Sequence, residues 1–133
     1  MEGETLDGQP SVLIVDPSEE TREVLRTALE RRGVRTFLAQ GAEPGLKLAQ
    51  QNHPDLVVLD LELNAGEPEQ LAAPFARQSR VEGTSLVMLG TLRRGRGNLP
   101  PGEFVPKPYH YGPLIRRIEE ILDTGPRDLA RSA

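Results

Sequence analysis

Short apolar runs alternate with amphipathic segments from one end of the chain to the other. Three runs, at 12–15, 56–59 and 86–89, each contain four consecutive apolar residues with no polar position between them. A short run without alternation predicts a strand that is buried on both faces. Segments 34–38 and 104–105 are shorter or less regular, and they predict two further strands.

Residues at helical spacing fill most of the segments between these strands. Ser18 is a suitable N-cap for the first helix, because its hydroxyl can accept a backbone N–H of the first turn. Apolar stripes at 42–51 and 111–123 predict two more helices. Pro68 suits the first turn of another helix, which Pro74 is expected to kink or restart because proline lacks an N–H.

The alternation fails between the fourth and fifth strands. Residues 90–103 include four glycines, two prolines and three arginines, and they form no apolar stripe. We therefore expect the fourth helix to be short or absent. Strands that alternate with helices predict an α/β fold in which a parallel sheet is covered on both faces. Five strands and about five helices in roughly 120 residues fit the doubly wound, flavodoxin-like order 2-1-3-4-5.

The composition excludes several kinds of site. The chain has 133 residues, no cysteine, two histidines and a formal net charge of −4. Its length predicts one domain at 11–123, with tails at 1–10 and 124–133. Without cysteine the chain can form neither a disulfide framework nor a thiolate zinc site. The acidic balance argues against a nucleic-acid partner.

Two further observations concern membranes. No apolar segment approaches the ~18 residues that a membrane span needs. The first nine residues lack the apolar core of a signal peptide. We therefore expect a cytoplasmic protein without a membrane partner.

Charged residues follow the strands at the edge where doubly wound sheets bind their ligands. Asp16 follows the first strand and Asp60 the third, and these strands would be neighbours about 5 Å apart. Two carboxylates this close repel each other unless a cation lies between them, and Mg²⁺ takes one or two carboxylates together with waters. Lys107, one of only two lysines, ends the fifth strand and could bind a phosphoryl oxygen. Together these residues predict phosphoryl transfer onto an aspartate.

Four segments extend this pattern over most of the chain: 12–17 (VLIVDP), 54–60 (PDLVVLD), 86–91 (LVMLGT) and 104–108 (FVPKP). In order and spacing they resemble the receiver domains of bacterial two-component response regulators. The resemblance covers residues 11–123.

The resemblance implies a role for most residues at this edge. Asp60 would accept a phosphoryl group, and Lys107 and Thr91 would bind it. Asp16, Asp60 and the backbone carbonyl of Glu62 would hold Mg²⁺.

The sequence departs from the family at the same edge. The second acidic residue that usually follows the first strand is Pro17 here, so Mg²⁺ affinity is expected to fall. The hydroxyl residue that usually ends the fourth strand is replaced by Gly90, with Thr91 one position later. The family usually has a proline four residues after the phosphoacceptor, and this position is Asn64 here. The switch that the resemblance implies would comprise Gly90, Thr91 and Phe104.

The resemblance also implies partners. A histidine kinase or a phosphotransfer protein would supply the phosphoryl group, and a downstream protein would receive the signal by docking on the surface. Because only ten residues follow Asp123, no effector domain is expected. The protein would be a stand-alone receiver that is phosphorylated on Asp60, and it would not be an enzyme. A homodimer is compatible with this role.

Two alternatives stay open. The departures at the acidic edge allow a pseudo-receiver that acts as an interaction module without phosphate. More remotely, Asp60-Leu61-Glu62 resembles the D-x-D nucleophile motif of haloacid-dehalogenase-like phosphatases, although that family places the motif on its first strand. A flavin-binding flavodoxin is disfavoured, because the loop after the first strand is acidic and aromatic residues make up only 4% of the chain.

Overall fold

The protein, described by a computed structural model over residues 8–63, 66–91 and 99–124, contains one five-stranded sheet in that part of the chain. The strands are β1 Ser11–Val15, β2 Arg35–Ala39, β3 Leu56–Asp60, β4 Ser85–Gly90 and β5 Glu103–Pro106. All neighbouring strands are parallel, in the order β2-β1-β3-β4-β5. The predicted doubly wound, flavodoxin-like topology is therefore confirmed.

Four helices cover the sheet within the described ranges: α1 Glu19–Arg31, α2 Ala42–Asn52, α3 Pro68–Glu82 and α4 Tyr111–Asp123. Side chains of α1 and α4 bury one face of the sheet, and those of α2 and α3 bury the other. No helix occurs at residue 91 or at 99–102, which agrees with the expected loss of a helix between β4 and β5. Residues 92–98 lie outside the described residues, as does Asn64.

The start of α1 follows from its sequence. Ser18 has extended backbone geometry, and its Oγ accepts the N–H of Thr21 at 3.1 Å. Glu19 and Glu20 lie in the first turn, where negative charge interacts favourably with the helix dipole. These residues fix where the chain turns from the end of β1 into α1.

The expectation that the helix would restart at Pro74 needs correction, because α3 is one element of 15 residues that continues past Pro74. The residues on both sides of the proline explain this continuity. Leu71 and Ala72 precede it, Phe75 follows it, and all three are buried against the same sheet face. The buried apolar stripe therefore offsets the hydrogen bond that Pro74 cannot donate.

The close approach of α2 to β1 depends on Gly45, which is buried in the middle of α2. A Cβ at this position would lie 2.9 Å from Cγ2 of Val15. Val15 is the last residue of β1 and precedes Asp16. The packing of α2 thus fixes the backbone from which the first acidic side chain projects.

Candidate functional site

The register of the sheet brings two aspartates together at its carboxyl edge. Val15 of β1 is paired with Leu59 of β3, so the next residues on each strand are Asp16 and Asp60. Both are almost fully buried, with 3% and 4% of their surface exposed. Two carboxylates at neighbouring strand ends therefore lie side by side with little access to solvent.

The local electrostatics disfavour a charge on Asp16. Burial raises the pKa of Asp16 above its ordinary value, although the Ser18 N–H, which donates to Oδ1 at 2.9 Å, works against this shift. The neighbouring Asp60 carboxylate raises the pKa further. Arg22 lies on the same side of the site, where its Nη1 donates to the backbone oxygen of Asp16 at 2.7 Å. The ionised Asp16 is thus only partly compensated by the protein.

Lys107 compensates the charge of Asp60. Its Nζ lies 2.9 Å from Oδ1 of Asp60 and 3.1 Å from Oε1 of Glu62. Burial alone would lower the pKa of Lys107, but the hydrogen bonds to these two carboxylates raise it above its ordinary value. The backbone N–H of Lys107 donates to the Gly90 oxygen at 2.9 Å, which anchors the end of β5 to β4.

Glu62 contributes its side-chain carboxylate to the hydrogen bonds at this edge of the sheet. Its Oε2 accepts the N–H of Thr91 at 3.0 Å, while Oε1 accepts the ammonium of Lys107. Its backbone N–H donates to Oδ1 of Asp60 at 2.9 Å. Hydrogen bonds from the Thr91 side chain and then from Lys107 hold the pKa of Glu62 below its ordinary value. Glu62 therefore carries a negative charge and connects the ends of β3, β4 and β5.

An open cleft of about 670 Å³ lies over these residues. It is lined by Asp16, Pro17, Ser18, Thr21, Asp60, Thr91, Lys107, Pro108, Tyr109 and Tyr111. Its floor is acidic, and one wall carries aromatic rings and hydroxyl groups. A small anion could reach Asp60 and Lys107 through this opening.

Sequence reasoning missed the wall of the cleft. The rings of Tyr109 and Tyr111 meet edge to face with their centroids 6.0 Å apart, and the hydroxyl of Tyr111 shares a 3.0 Å hydrogen bond with Thr21. Burial, and then the charge of Asp16, raise the pKa of Tyr109. A compositional signal was available, because the only two tyrosines of the chain both follow Lys107 within four residues.

The predicted switch residues occupy different surroundings. Phe104, on β5 opposite Met88 of β4, is half-buried against the core below α2 and α3 and does not line the cleft. Gly90 is buried at the end of β4, where an added Cβ would lie 3.3 Å from Cβ of Leu61. Of the three predicted switch residues, Thr91 alone lines the cleft.

The side chains at this edge that suit a metal ion are those of Asp16 and Asp60. Mg²⁺ binds through one or two carboxylates and retains several waters. The pKa of Asp16 is raised first by burial and then by repulsion from Asp60, and a cation would relieve that repulsion. These two residues therefore fit a largely hydrated Mg²⁺. Over the described ranges, no group of three or more His, Cys, Asp or Glu is arranged to hold a metal. Pro17 is exposed beside Asp16 and offers no side-chain oxygen.

The sheet order and the helices on both faces are those of the CheY-like fold. Residues 12–91 match the family model of the response regulator receiver domain, and the chain belongs to this family. The resemblance drawn from the four sequence segments is thus confirmed.

Individual relatives agree with this family. KdpE, the KDP operon transcriptional regulatory protein of Escherichia coli, is 33% identical over 118 residues, which are 84% of this chain and 51% of KdpE. The non-phosphorylated receiver domain of HemR from Leptospira biflexa superposes with a TM-score of 0.71 at 31% identity, covering 86% of this chain and 94% of that domain. Chemotaxis protein CheY4 of Vibrio cholerae shares the fold, with a TM-score of 0.72 at 19% identity and coverages of 86% and 99%.

The extent of these matches differs between whole proteins and isolated domains. The chain spans about half the length of the curated relatives it matches, 56% of AfsQ1 of Streptomyces coelicolor and 51% of KdpE. It covers nearly all of the receiver-domain structures. In the part of the chain with described coordinates, no helix is long and apolar enough to cross a membrane.

Proposed function

We propose that this receiver domain accepts a phosphoryl group on Asp60 and transmits the signal by protein–protein contact. The observation that carries the proposal is the 2.9 Å contact between Lys107 Nζ and Oδ1 of Asp60, a carboxylate that is 4% exposed at the floor of an open cleft. A buried nucleophile beside a fixed ammonium suits the transfer of an anionic group, because the ammonium neutralises charge on the group as it moves.

The acceptor oxygen follows from the hydrogen bonds of Asp60. Both hydrogen bonds that it accepts from described residues, from Lys107 and from the Glu62 N–H, fall on Oδ1. We therefore assign the attack to Oδ2. This oxygen forms a bond to phosphorus while the bond between phosphorus and a histidine nitrogen of the donor protein breaks. The donor imidazole leaves with the electron pair and takes a proton from solvent.

The residues that would hold Mg²⁺ are Asp16 and Asp60, with the backbone carbonyl of Glu62 as a further oxygen. When bound, this ion supplies positive charge that stabilises the oxygens of the transferred group. We expect weak binding, because Pro17 removes the second carboxylate that the family usually places there. Asp16 orients the site from the β1 side through its hydrogen bond to the Ser18 N–H.

The proposed output is a shift between two conformations. A phosphoryl group on Asp60 would draw the Thr91 N–H towards its oxygens, and the change would reach Phe104 through the pairing of β4 with β5. Gly90 has no side-chain hydroxyl, so the contact from the end of β4 is assigned to Thr91. The donor in this scheme is a histidine kinase or a phosphotransfer protein, and the reader is a downstream protein. The reaction is a stoichiometric labelling of Asp60 without turnover of a substrate.

A second candidate is a pseudo-receiver that signals without phosphate. Two observations favour it: Pro17 stands in the acidic pair, and Glu62 already engages both Lys107 and Thr91 in the free protein. In that role the edge would serve as a fixed structural element of an interaction module.

Incubation with acetyl phosphate and Mg²⁺, followed by intact mass, tests the acceptor. We expect one phosphoryl adduct on the wild-type chain and none on Asp60→Asn, which keeps the shape of the side chain but removes the nucleophile. Absence of an adduct at every Mg²⁺ concentration would favour the pseudo-receiver. An adduct that persists in Asp60→Asn would place the acceptor elsewhere.

A further inference from the structure

The ends of β4 and β5 form a small anion seat, which we define as the ammonium of Lys107 and the backbone N–H of Thr91. One carboxylate occupies both parts of this seat. Oε1 of Glu62 lies 3.1 Å from Lys107 Nζ, and Oε2 lies 3.0 Å from the Thr91 nitrogen. Each carboxylate oxygen therefore has its own donor, as in a bound oxyanion.

The anion seat lies next to the proposed acceptor. The same Lys107 Nζ that contacts Glu62 also lies 2.9 Å from Oδ1 of Asp60. A phosphoryl group on Asp60 would place its oxygens within reach of this ammonium, so it would meet the Glu62 carboxylate there. Two anions cannot share these donors without repulsion, because like charges at contact distance disfavour each other.

Glu62 is free to leave the seat. Its side chain is 43% exposed, whereas that of Asp60 is 5% exposed. An exposed ion pair contributes little free energy, because water can solvate both partners once they separate. A phosphoryl group carries about 1.5 to 2 negative charges and three acceptor oxygens, so it is the stronger ligand for the same donors.

We propose that Glu62 is a positioning residue, whose carboxylate holds the anion seat in the free protein and must be displaced when Asp60 is phosphorylated. This inference rests on the proposed function of Asp60. The Glu62 carboxylate explains why the Lys107 ammonium and the Thr91 N–H already point to a common anion in the free protein. Glu62 thereby opposes labelling and favours loss of the phosphoryl group.

The test compares the rate of adduct formation with acetyl phosphate and Mg²⁺ in four chains: wild type, Glu62→Gln, Glu62→Ala and Glu20→Gln. Glu20 is the matched control, an exposed carboxylate at the start of α1 on the same edge of the sheet. We expect labelling roughly fivefold faster in Glu62→Ala, as follows from losing one exposed charged contact. Glu62→Gln should lie between Glu62→Ala and wild type, and Glu20→Gln should match wild type.

A second measurement follows the amide of Thr91 by ¹⁵N–¹H correlation spectroscopy without any phosphodonor. The resonance should move in Glu62→Ala and keep its wild-type position in Glu20→Gln, while the melting temperatures of all chains stay close. A role of Glu62 in general stability would change the melting temperature and leave the labelling rate unaltered.

The outcomes separate the two proposals. If the wild type is labelled but the Glu62 variants react at the same rate or more slowly, the inference fails and the function of Asp60 stands. If only the Glu62 variants are labelled, Glu62 blocks the seat more strongly than we expect and the inference is supported. If no chain is labelled, the proposed function fails, and the Thr91 resonance alone decides whether Glu62 holds the seat.

Discussion

The two sides of the carboxyl edge differ in how their charges are compensated. On the acid side, formed by Asp16 and Pro17, a buried carboxylate has a raised pKa and an exposed proline as its neighbour. On the lysine side, formed by Lys107, Glu62 and Thr91, every charge has a partner at hydrogen-bond distance. The charges of the lysine side are compensated in the free protein, whereas the charge of Asp16 on the acid side is compensated only in part.

This difference indicates where a bound ligand would stabilise the folded protein. Ionisation of Asp16 destabilises the folded protein, because burial and the Asp60 charge both oppose it. Groups of this kind are typical of functional sites. A cation bound at the acid side would recover that free energy, while an anion at the lysine side would first have to remove Glu62.

The largest effect on this comparison should come from Lys107→Met, which breaks the lysine side. The variant leaves the Asp60 carboxylate buried without its ammonium, and we expect the free energy of unfolding at neutral pH to fall by about 2 kcal/mol. Urea denaturation measures the change. Lys47→Met, at the exposed second lysine, is the control and should stay close to wild type. Equal stability of the two variants would contradict the proposed compensation.

Gly45→Ala should disturb the acid side through its scaffold. The added Cβ would lie 2.9 Å from Val15 Cγ2, so β1 or α2 must move, and we expect a loss of about 1.5 kcal/mol from overpacking. Gly41→Ala places its Cβ at an ordinary 3.7 Å from Pro44 and serves as the control. Thermal unfolding compares the two, and a loss that is no greater in Gly45→Ala would refute the close approach.

Pro17→Asp should make the acid side more like that of other receivers. A further carboxylate beside Asp16 is expected to raise Mg²⁺ affinity about tenfold, worth ~1.4 kcal/mol. Calorimetric titration with Mg²⁺ measures the affinity. Pro17→Ala makes the same backbone change without the carboxylate, so an equal gain in both variants would mean that the proline ring itself limits binding.

Asp16→Asn should give the smallest effect, and it should be stabilising. Because the pKa of Asp16 is raised on folding, the native state binds more protons between the ordinary value of 3.8 and the folded pKa. Stability therefore falls as pH rises through this window and stays reduced above it. We expect Asp16→Asn to be more stable at neutral pH by about 1 kcal/mol, with the gap closing below pH 3.8.

Denaturation curves across pH, without Mg²⁺, provide the measurement for Asp16→Asn. Asp123→Asn is the control at an exposed position, and its stability should stay close to that of the wild type. A variant that is less stable than wild type at neutral pH would show that the ionised Asp16 contributes to stability.

The sequence predicted the scaffold because burial on both faces restricts residue types. The runs 12–15, 56–59 and 86–89 lie within β1, β3 and β4, and the apolar stripe at 111–123 coincides with α4. Asp16 and Asp60 follow from the same logic, since a polar residue that ends a buried strand lies at the sheet edge.

The side-chain contacts of the site could not be predicted in this way. Glu62 meets Thr91 and Lys107, which are 29 and 45 residues away in the sequence. Hydrophobic periodicity fixes where these residues lie along the edge, but it contains no information on which rotamer Glu62 adopts. The resemblance to the family assigned Glu62 a backbone role and did not predict that its carboxylate contacts Thr91 and Lys107.

The helix packing contained one misleading signal. Pro74 favours a break when only local propensity is considered, yet the burial of Leu71 and Phe75 on one sheet face keeps α3 continuous. Gly45 gave no sequence signal for its close contact with Val15. Both cases depend on tertiary packing, which a local pattern does not encode.

The helices α1 and α4 are joined at two points along their length. Near their starts, Thr21 and Tyr111 share a hydrogen bond of 3.0 Å, and further along, Arg32 and Glu119 form an ion pair of 2.6 Å. The two contacts lie 11 residues apart on the α1 side, or roughly 16 Å at 1.5 Å per residue. Two contacts this far apart oppose rotation of one helix against the other more than a single contact would. A change in the position of α4 would therefore be transmitted to α1.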